Sequence, residues 1–289
     1  MTSQPISRWG VHARLAFIAL TLGSSLLTPA IAEEAAAPGG SSSGPTYVEQ
    51  GPVPQPTFGS DVKAYVTAPL RWNGRDWLYF GTSLAAIAVA HHYDDQVRTH
   101  FTTGSYASNL TNSSSSEGKD ALPALAVVGG TWLYAGLIND SAGHREAASM
   151  VESAVLSCAT GFVMRLAVGR ERPNETSDDN KWRAGSNSFP SLHVTGAFAI
   201  GTVLAESGND DYRWIRRLLG YGVGAVTAYE RLRHNAHWLS DTVAGAALGM
   251  STAHFVMNRR GRPTGYAGNF SVTPVEGGAM LTFSINPYP

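Results

Sequence analysis

The sequence predicts an all-α fold, a compact helical bundle of about six core helices with a short C-terminal β-hairpin. Six apolar stretches of helix length recur from Trp77 onward, and few strand signals lie between them. Alanine and glycine are frequent in these stretches, as in Ala-Gly-Ala-Ala-Leu-Gly at 244–249, and small residues let helix backbones approach closely. The predicted helices span about 77–92, 121–138, 146–168, 191–206, 214–229 and 239–257.

The N-terminus carries the three parts of a secretory signal peptide. Arg8 and Arg14 give a basic start, Leu15 to Leu27 forms an apolar run, and Ala30-Ile31-Ala32 is a small-residue cleavage site. The apolar run is shorter than the roughly 20 residues that a spanning helix needs. We therefore expect a signal peptide at 1–32 and export to the periplasm.

The rest of the chain is expected to form one main domain at 61–260. Residues 33–60 are rich in Pro, Gly and Ser without apolar periodicity, which predicts a flexible linker. A polar Ser/Asn-rich segment at 105–120 predicts a surface loop or lid between the first two helices. At 261–289, alternating residues around Glu276-Gly277-Gly278 predict the terminal hairpin.

Composition and charge exclude several classes of partner and site. Removal of residues 1–32 takes away two arginines and no acids, so the formal charge moves from -1 to -3. This balance offers no general attraction for nucleic acid, and phosphate recognition must be local. Cys158 is the only cysteine, so no internal disulfide can form, and its apolar surroundings predict a buried inert thiol.

The hydropathy of the sequence is compatible with a soluble protein and with one that contacts a membrane. Residues 121–138 carry no charge over 18 residues, a length close to that of a membrane-spanning helix. Most other apolar stretches are shorter or interrupted, and the mean hydropathy of the chain is -0.09. These values favour a soluble helical bundle over a multi-spanning protein, with peripheral or integral membrane contact as the alternative.

Two arginines mark the end of the third predicted helix. Arg165 and Arg172 are seven residues apart, about two helical turns, so both guanidinium groups are expected on one face, with Pro173 ending the helix. Such a pair is costly to bury unless an oxyanion or carboxylates lie between the guanidinium groups. The pair indicates an anion site, with a solvated or salt-bridged helix end as the alternative.

Two further clusters carry groups suited to acid–base chemistry. Pro190-Ser191-Leu192-His193 precedes an apolar helix, with Ser191 placed to cap it, and a helix start with a hydroxyl and an imidazole favours anions. His237 and Asp241 are four residues apart, which makes them neighbours on a helix. A carboxylate beside a histidine fixes the tautomer and raises the basicity of a nucleophile or general base. Alone, each cluster is also explained by an ordinary N-cap or by a charged turn.

Taken in order, the three clusters resemble the type 2 phosphatidic acid phosphatase family, which shares its fold and site with vanadium haloperoxidases. The family pattern is K-x6-RP, then PSGH, then SR-x5-H-x3-D. Order and internal spacings are kept here in Arg165 to Arg172-Pro173, in Pro190 to His193, and in Arg231, His237 and Asp241. The resemblance covers roughly residues 70–257, with its motifs confined to 165–241.

The resemblance implies a metal-independent phosphohydrolase with a phosphohistidine intermediate. In this mechanism His237 attacks phosphorus, Asp241 orients it, and His193 protonates the leaving oxygen and then activates water. The residues implied in phosphate binding are Arg165, Arg172, Ser191, Leu192 and Arg231. No metal or other cofactor is expected, although vanadate can act as a phosphate mimic.

Three positions depart from the family pattern. Arg165 replaces lysine, which keeps the positive charge but exchanges a compact ammonium group for a planar guanidinium group. Leu192 replaces glycine and adds a side chain where the pattern leaves room, which puts the pocket shape in doubt. Glu230 replaces serine and could either pair with Arg231 or repel a phosphate.

Other histidines compete for a role in the site. His234 lies three residues before His237 and is expected to sit on the adjoining loop rather than to line the site. Adjacent His91 and His92 are expected to form the polar end of a helix rather than a metal site.

The expected substrates are phosphorylated lipids, such as phosphatidate or a polyprenyl diphosphate, and small organic phosphate esters. A vanadium-dependent haloperoxidase and a catalytically silenced phosphate-binding envelope protein are the alternative functions.

Overall fold

The computed structural model describes residues 56–103, 119–208, 212–261, 269–275 and 278–284. The expected signal peptide, most of the expected linker and most of the polar segment at 105–120 lie outside these residues. Predictions about them stay predictions.

Eight α-helices make up the described part of the chain before residue 262, and the all-α prediction is confirmed. In chain order the helices are α1 (Phe58–Thr67), α2 (Gly74–His92), α3 (Asp94–Thr102), α4 (Leu122–Leu137), α5 (Ser141–Val168), α6 (Leu192–Glu206), α7 (Arg213–Arg233) and α8 (Leu239–Arg260). Two 3₁₀ turns lie at Ala68–Arg71 and Lys119–Ala121. The six predicted core helices correspond to α2 and α4–α8, whereas α1 and α3 had no predicted counterpart, and α1 begins inside the expected linker.

Local sequence signals explain where several helices begin. Asn73 caps α2 by accepting from the N–H groups of Arg75 and Asp76, and the Asp76 carboxylate accepts from the Asn73 N–H. Pro123 lies in the first turn of α4, where its missing N–H costs nothing. Asp140 caps α5 through the N–H of Ala142.

Helix α6 is the central element, and it packs against α4, α5, α7 and α8. Glycines allow the closest of these contacts. A Cβ atom on Gly201 of α6 would collide with the backbone carbonyl of Gly220 on α7, and the reverse also holds. Gly245 and Gly249 of α8 lie against the backbone of α6 in the same way. Small residues therefore set the spacing between the three helices, as expected from the Ala/Gly-rich sequence.

The outer faces of the bundle are strongly apolar. Leu137 of α4 and Leu166 of α5 are 76% and 73% exposed, and large apolar side chains of α2 and α7 are also exposed. The segments Lys119–Leu137 and Ser141–Val168 are long and apolar enough to cross a membrane, and only 11% and 28% of their most apolar windows are buried. Exposed apolar faces of this extent often mark interaction surfaces, so by length and composition these two helices are candidates for membrane contact, which hydropathy left as the alternative to a soluble bundle.

Two short strands follow the bundle in the chain. Strands β1 (Asn269–Val275) and β2 (Gly278–Ser284) pair antiparallel, with Asn269 opposite Ser284 and Val275 opposite Gly278. The connecting residues 276–277 and the flanking residues 262–268 lie outside the described residues. The complete hairpin therefore stays a prediction.

The glycine contact between α6 and α7 predicts a large difference between two alanine substitutions on one helix. Gly220→Ala forces the two backbones apart, and overpacking of this kind costs about 1–3 kcal/mol or more. Gly222→Ala is the matched control, because a Cβ atom there meets nothing within 4 Å, and alanine favours the helix by up to about 1 kcal/mol. Thermal unfolding of the full chain should show a lower Tm for the first variant alone. Equal Tm values would contradict the described contact.

Candidate active site

The candidate residues of the sequence motifs lie at one end of the bundle, where four helix ends meet. Arg165 lies in the last turn of α5, Ser191 immediately precedes α6, Arg231 lies in the last turn of α7, and Asp241 lies in the first turn of α8. A hydrogen bond from the Ser191 N–H to the Asp241 carbonyl, 3.1 Å long, joins two of these ends directly. Motifs up to 76 residues apart in sequence thus share one region of the fold.

His237 and Asp241 form a buried pair at this end. Nδ1 of His237 lies 3.5 Å from Oδ2 of Asp241, and both side chains are fully buried. His237 precedes α8 rather than lying within it, because the helix begins at Leu239. Within the described part of the chain, neither ring nitrogen of His237 makes a hydrogen bond. The carboxylate therefore faces Nδ1, and Nε2 is the ring atom on the opposite side.

Burial controls the protonation of His237. Desolvation lowers its pKa to about 3, against the opposing effect of the Asp241 carboxylate. The positive charges of Arg231 and Arg165 lower this pKa further. His237 is therefore neutral near pH 7 and holds a ring nitrogen lone pair, which is the state that a nucleophile or a general base needs.

Three donors in the described residues hold the carboxylate of Asp241. Arg170 Nη1 donates to Oδ1 at 2.8 Å, and Ser188 Oγ and the Trp238 N–H donate to Oδ2 at 2.5 and 2.9 Å. Sequence analysis assigned no role to Arg170 or Ser188. Their contacts bridge 71 and 53 residues of sequence, so no local pattern could reveal them.

Arg165 and Arg231 are both anchored beside His237. Arg165 Nε donates to the Pro190 carbonyl at 2.8 Å, which joins the end of α5 to the turn before α6. Arg231 is fully buried, and its Nη1 donates to Oδ2 of Asp120 at 2.6 Å. Two guanidinium groups close to one neutral imidazole create a positive field that suits an oxyanion.

Arg172 does not share a helix with Arg165, contrary to the sequence prediction. Helix α5 ends at Val168 because Gly169 adopts a left-handed conformation with φ 58°. Arg172 lies in the following loop, half-buried, where its Nε donates to Oδ1 of Asn187 at 3.2 Å. The left-handed Gly169, rather than the predicted stop at Pro173, therefore ends this helix.

Ser191 occupies the N-cap position of α6, but its hydroxyl makes no capping bond. The Oγ atom is buried and has no hydrogen-bond partner within the described part of the chain. His193 follows in the first turn of α6 and is half-buried. A buried hydroxyl at a helix N-terminus beside two arginines suits recognition of an anion, because the helix dipole acts in the same direction.

Leu192 turns its side chain towards α5. A Cβ atom built on Gly161 would approach Cδ2 of Leu192 to 2.7 Å, so Gly161 provides the space that this side chain fills. The backbone carbonyl of Leu192 also lies 3.7 Å from the Cys158 thiol. The leucine in place of the family glycine therefore contributes to the contact between helices.

Glu230 pairs with neighbours other than Arg231. Arg233 Nη1 donates to its two oxygens at 3.2 and 3.3 Å, and His234 Nε2 lies 3.6 Å from Oε2. His234 is mostly buried, with Nδ1 3.9 Å from Oδ2 of Asp120. Asp120, the last residue of the polar segment at 105–120, had no predicted role and is a carboxylate partner of Arg231.

One group of side chains in the described residues could hold a metal ion by geometry alone, namely His91, Asp94 and Asp179. Arg170 Nη2 already donates to Oδ2 of Asp94 at 2.8 Å. A guanidinium at this distance opposes the binding of a second cation. The expected absence of a metal requirement stays a prediction, which assay in chelator can test.

The contact between Leu192 and Gly161 predicts coupled effects on stability. Leu192→Gly should cost about 2–4 kcal/mol, since it removes a packed leucine side chain. Gly161→Ala should cost about 1–3 kcal/mol alone, through overpacking, but much less in the Leu192→Gly background. Denaturant or thermal unfolding of the two single variants and the double variant measures the coupling. Strictly additive effects would contradict the described contact.

Comparison with known proteins agrees with the motifs at this site. A family model described as the PAP2 superfamily matches residues 146–264, which contain Arg165, Ser191, Arg231, His237 and Asp241. The lipid A 1-phosphatase of Porphyromonas gingivalis is 30% identical over 126 residues, 42% of this chain and 26% of that protein. The chain therefore matches about a quarter of the length of this relative, and no solved structure matches it. The match over residues 146–264 agrees with the predicted resemblance to the type 2 phosphatidic acid phosphatase superfamily.

Proposed function

We propose that the protein is a metal-independent phosphatase that hydrolyses a phosphate monoester or diphosphate of a membrane lipid through a phosphohistidine on His237. The arrangement of one neutral buried imidazole beside Asp241, Arg165 and Arg231 carries this proposal. The name of the relative, a lipid A 1-phosphatase, also supports a phosphorylated lipid as substrate.

In the first step, Nε2 of His237 attacks phosphorus and the bond to the leaving oxygen breaks. The ring keeps its proton on Nδ1, which faces Asp241, and becomes positively charged as the P–N bond forms. His193 gives its proton to the leaving oxygen. In the second step, His193 takes a proton from water, the oxygen attacks phosphorus, and the P–N bond breaks to release phosphate and neutral His237.

The cationic side chains supply the charge stabilisation that phosphoryl transfer requires. The nonbridging oxygens carry negative charge throughout, so positioning and electrostatic complementarity dominate catalysis. Arg165 and Arg231 are anchored by Pro190 and Asp120, which limits the reorganisation needed on binding. We assign the remaining phosphate contacts to Arg172, to the hydroxyl of Ser191 and to the backbone N–H of Leu192.

The apolar outer faces support a lipid-linked substrate rather than a freely soluble one. Helices α4 and α5 carry exposed apolar side chains. Asp120 lies in the 3₁₀ turn before α4, and Arg165 lies in the last turn of α5. In a bilayer these faces contact acyl chains, and the site lies at the boundary where a lipid headgroup phosphate is found. Together with the signal-peptide pattern at 1–32, this supports a periplasmic-facing envelope enzyme.

Activity assays with the nucleophile variant test the reaction. We expect the full chain, purified in detergent with chelator, to release phosphate from phosphatidate or a polyprenyl diphosphate faster than from an aryl phosphate. His237→Ala should lose at least about 10³-fold in kcat, because no other group in the site replaces a nucleophile. Unchanged turnover in His237→Ala would exclude the phosphohistidine step. Halide oxidation by the vanadate-loaded protein without phosphate release would instead favour the haloperoxidase function.

A charge placed on the apolar face of α4 tests membrane embedding. Leu133 is 57% exposed, and an arginine there costs about 2.5–3.5 kcal/mol on insertion scales if this face contacts lipid. Ser177→Arg is the control, at an exposed position in the loop between α5 and α6. We expect Leu133→Arg to lower the yield of folded protein in carbonate-washed membranes, and Ser177→Arg to leave it unchanged. Equal yields, or wild-type protein released by carbonate, would contradict embedding.

A further inference from the structure

Arg170 is a buried guanidinium outside the set of phosphate-binding arginines. Its side chain is 1% exposed. Nη1 donates to Asp241 Oδ1 at 2.8 Å and to Ser240 Oγ at 2.7 Å. Nη2 donates to Asp94 Oδ2 at 2.8 Å and to the Asp179 carbonyl at 2.7 Å. The guanidinium therefore lies between two carboxylates, one of which orients the proposed nucleophile.

Two indole rings lie beside this guanidinium. The Cζ atom of Arg170 lies 4.3 Å from the ring centroid of Trp182 and 5.1 Å from that of Trp238. Trp238 also supplies one of the N–H groups that hold Asp241. Stacking on aromatic rings suits a weakly hydrated planar cation and would not suit lysine equally well.

Asp94 is the second carboxylate of this arrangement and is fully buried. Its Oδ1 accepts from the Ser240 N–H at 2.8 Å, and its Oδ2 accepts from Ser240 Oγ at 2.6 Å. His91 Nδ1 lies 2.8 Å from the same Oδ2 atom. Asp94 is the first residue of α3, outside residues 146–264, so the N-terminal helices contribute directly to the support of the site.

The charges of this network match the charge that develops on the proposed nucleophile. Two carboxylates and one guanidinium carry a formal net charge of -1. Phosphorylation of His237 on Nε2, with its proton kept on Nδ1, gives the ring one positive charge. Without Asp94, the positive charge of Arg170 would be balanced by Asp241 alone. The Asp241–Arg170 pair that faces the imidazolium would then have a formal net charge of zero.

We propose that Asp94 and Arg170 are positioning residues for the nucleophile, which act through Asp241 to orient His237 and to stabilise its phosphorylated form. This inference rests on the phosphohistidine mechanism proposed above. It adds α2 and α3 to the functional unit, although neither helix lies in the matched segment.

Asp94→Asn tests the inference because it removes the charge and keeps the shape. We expect kcat on phosphatidate to fall by about 10- to 100-fold, with KM and inhibition by orthovanadate unchanged within about threefold. Single-turnover reactions stopped in alkali should show slower formation of phosphohistidine. Asp95→Asn is the matched control, since Asp95 is the adjacent residue and is exposed, and it should behave as wild type. A kcat for Asp94→Asn equal to that of Asp95→Asn would overturn the proposal, as would a loss confined to KM.

Two further variants keep the test decisive if Asp94→Asn does not fold. His91 is partly exposed and contacts the buried Asp94. His91→Ala removes this contact and should lower kcat about three- to tenfold with KM unchanged. Arg170→Lys keeps the charge but loses the two-sided contact, and it should also lower kcat selectively. Unchanged kcat in both variants would overturn the proposal. His237→Ala, assayed in parallel, separates the two levels: if it stays active, the phosphohistidine mechanism fails, and if it is inactive while Asp94→Asn is normal, only the positioning role fails.

Discussion

The burial of charge at the junction of four helix ends is the constraint on which the rest of the structure depends. Asp94, Asp241, Arg170 and Arg231 are buried, and a charge without a partner in such a place would be strongly destabilising. Each charge is satisfied by a residue from a different element, so the helices must meet with the geometry that the ion pairs require. Burial at the same junction keeps His237 neutral, and Asp241 faces its Nδ1 atom, so the packing that stabilises the junction also sets the state of the imidazole.

Sequence periodicity predicted most of the helices, and motif spacing predicted that the candidate site residues lie close together. The apolar stretches correspond to α2 and α4–α8 because each must cover α6 or one of its neighbours, and that requirement is visible in composition. The three motifs could be assigned to one site because their residue types and spacings are specific. The predicted range 146–168 ends where α5 ends, but the placement of Arg172 on this helix was wrong because the left-handed Gly169 ends it before Pro173.

What could not be predicted depends on contacts between distant segments. Arg170 and Asp94 look like ordinary polar residues at the ends of helices, and their contacts appear only when α3 is placed beside the start of α8. The environment of the outer faces was similarly hidden, because an apolar stripe has the same sequence whether it contacts a protein core or lipid. The exposed fractions of α4 and α5 show that their outer faces do not contact the core of the described bundle, whereas the mean hydropathy of the chain averages them with polar segments.

The contact between Gly201 and Gly220 has a mechanical consequence for the distant site. Gly201 of α6 is ten residues from Ser191, and Gly220 of α7 is eleven residues from Arg231. Measured along the helices, the glycine contact therefore lies roughly 15 Å from both residues. Each helix is a lever arm about this point, and a tilt of about 4° would shift its far end by about 1 Å, a misplacement that can cost about 100-fold in rate. The close contact of these two glycines therefore sets the angle between α6 and α7, and with it the separation of the Ser191 hydroxyl and the Arg231 guanidinium.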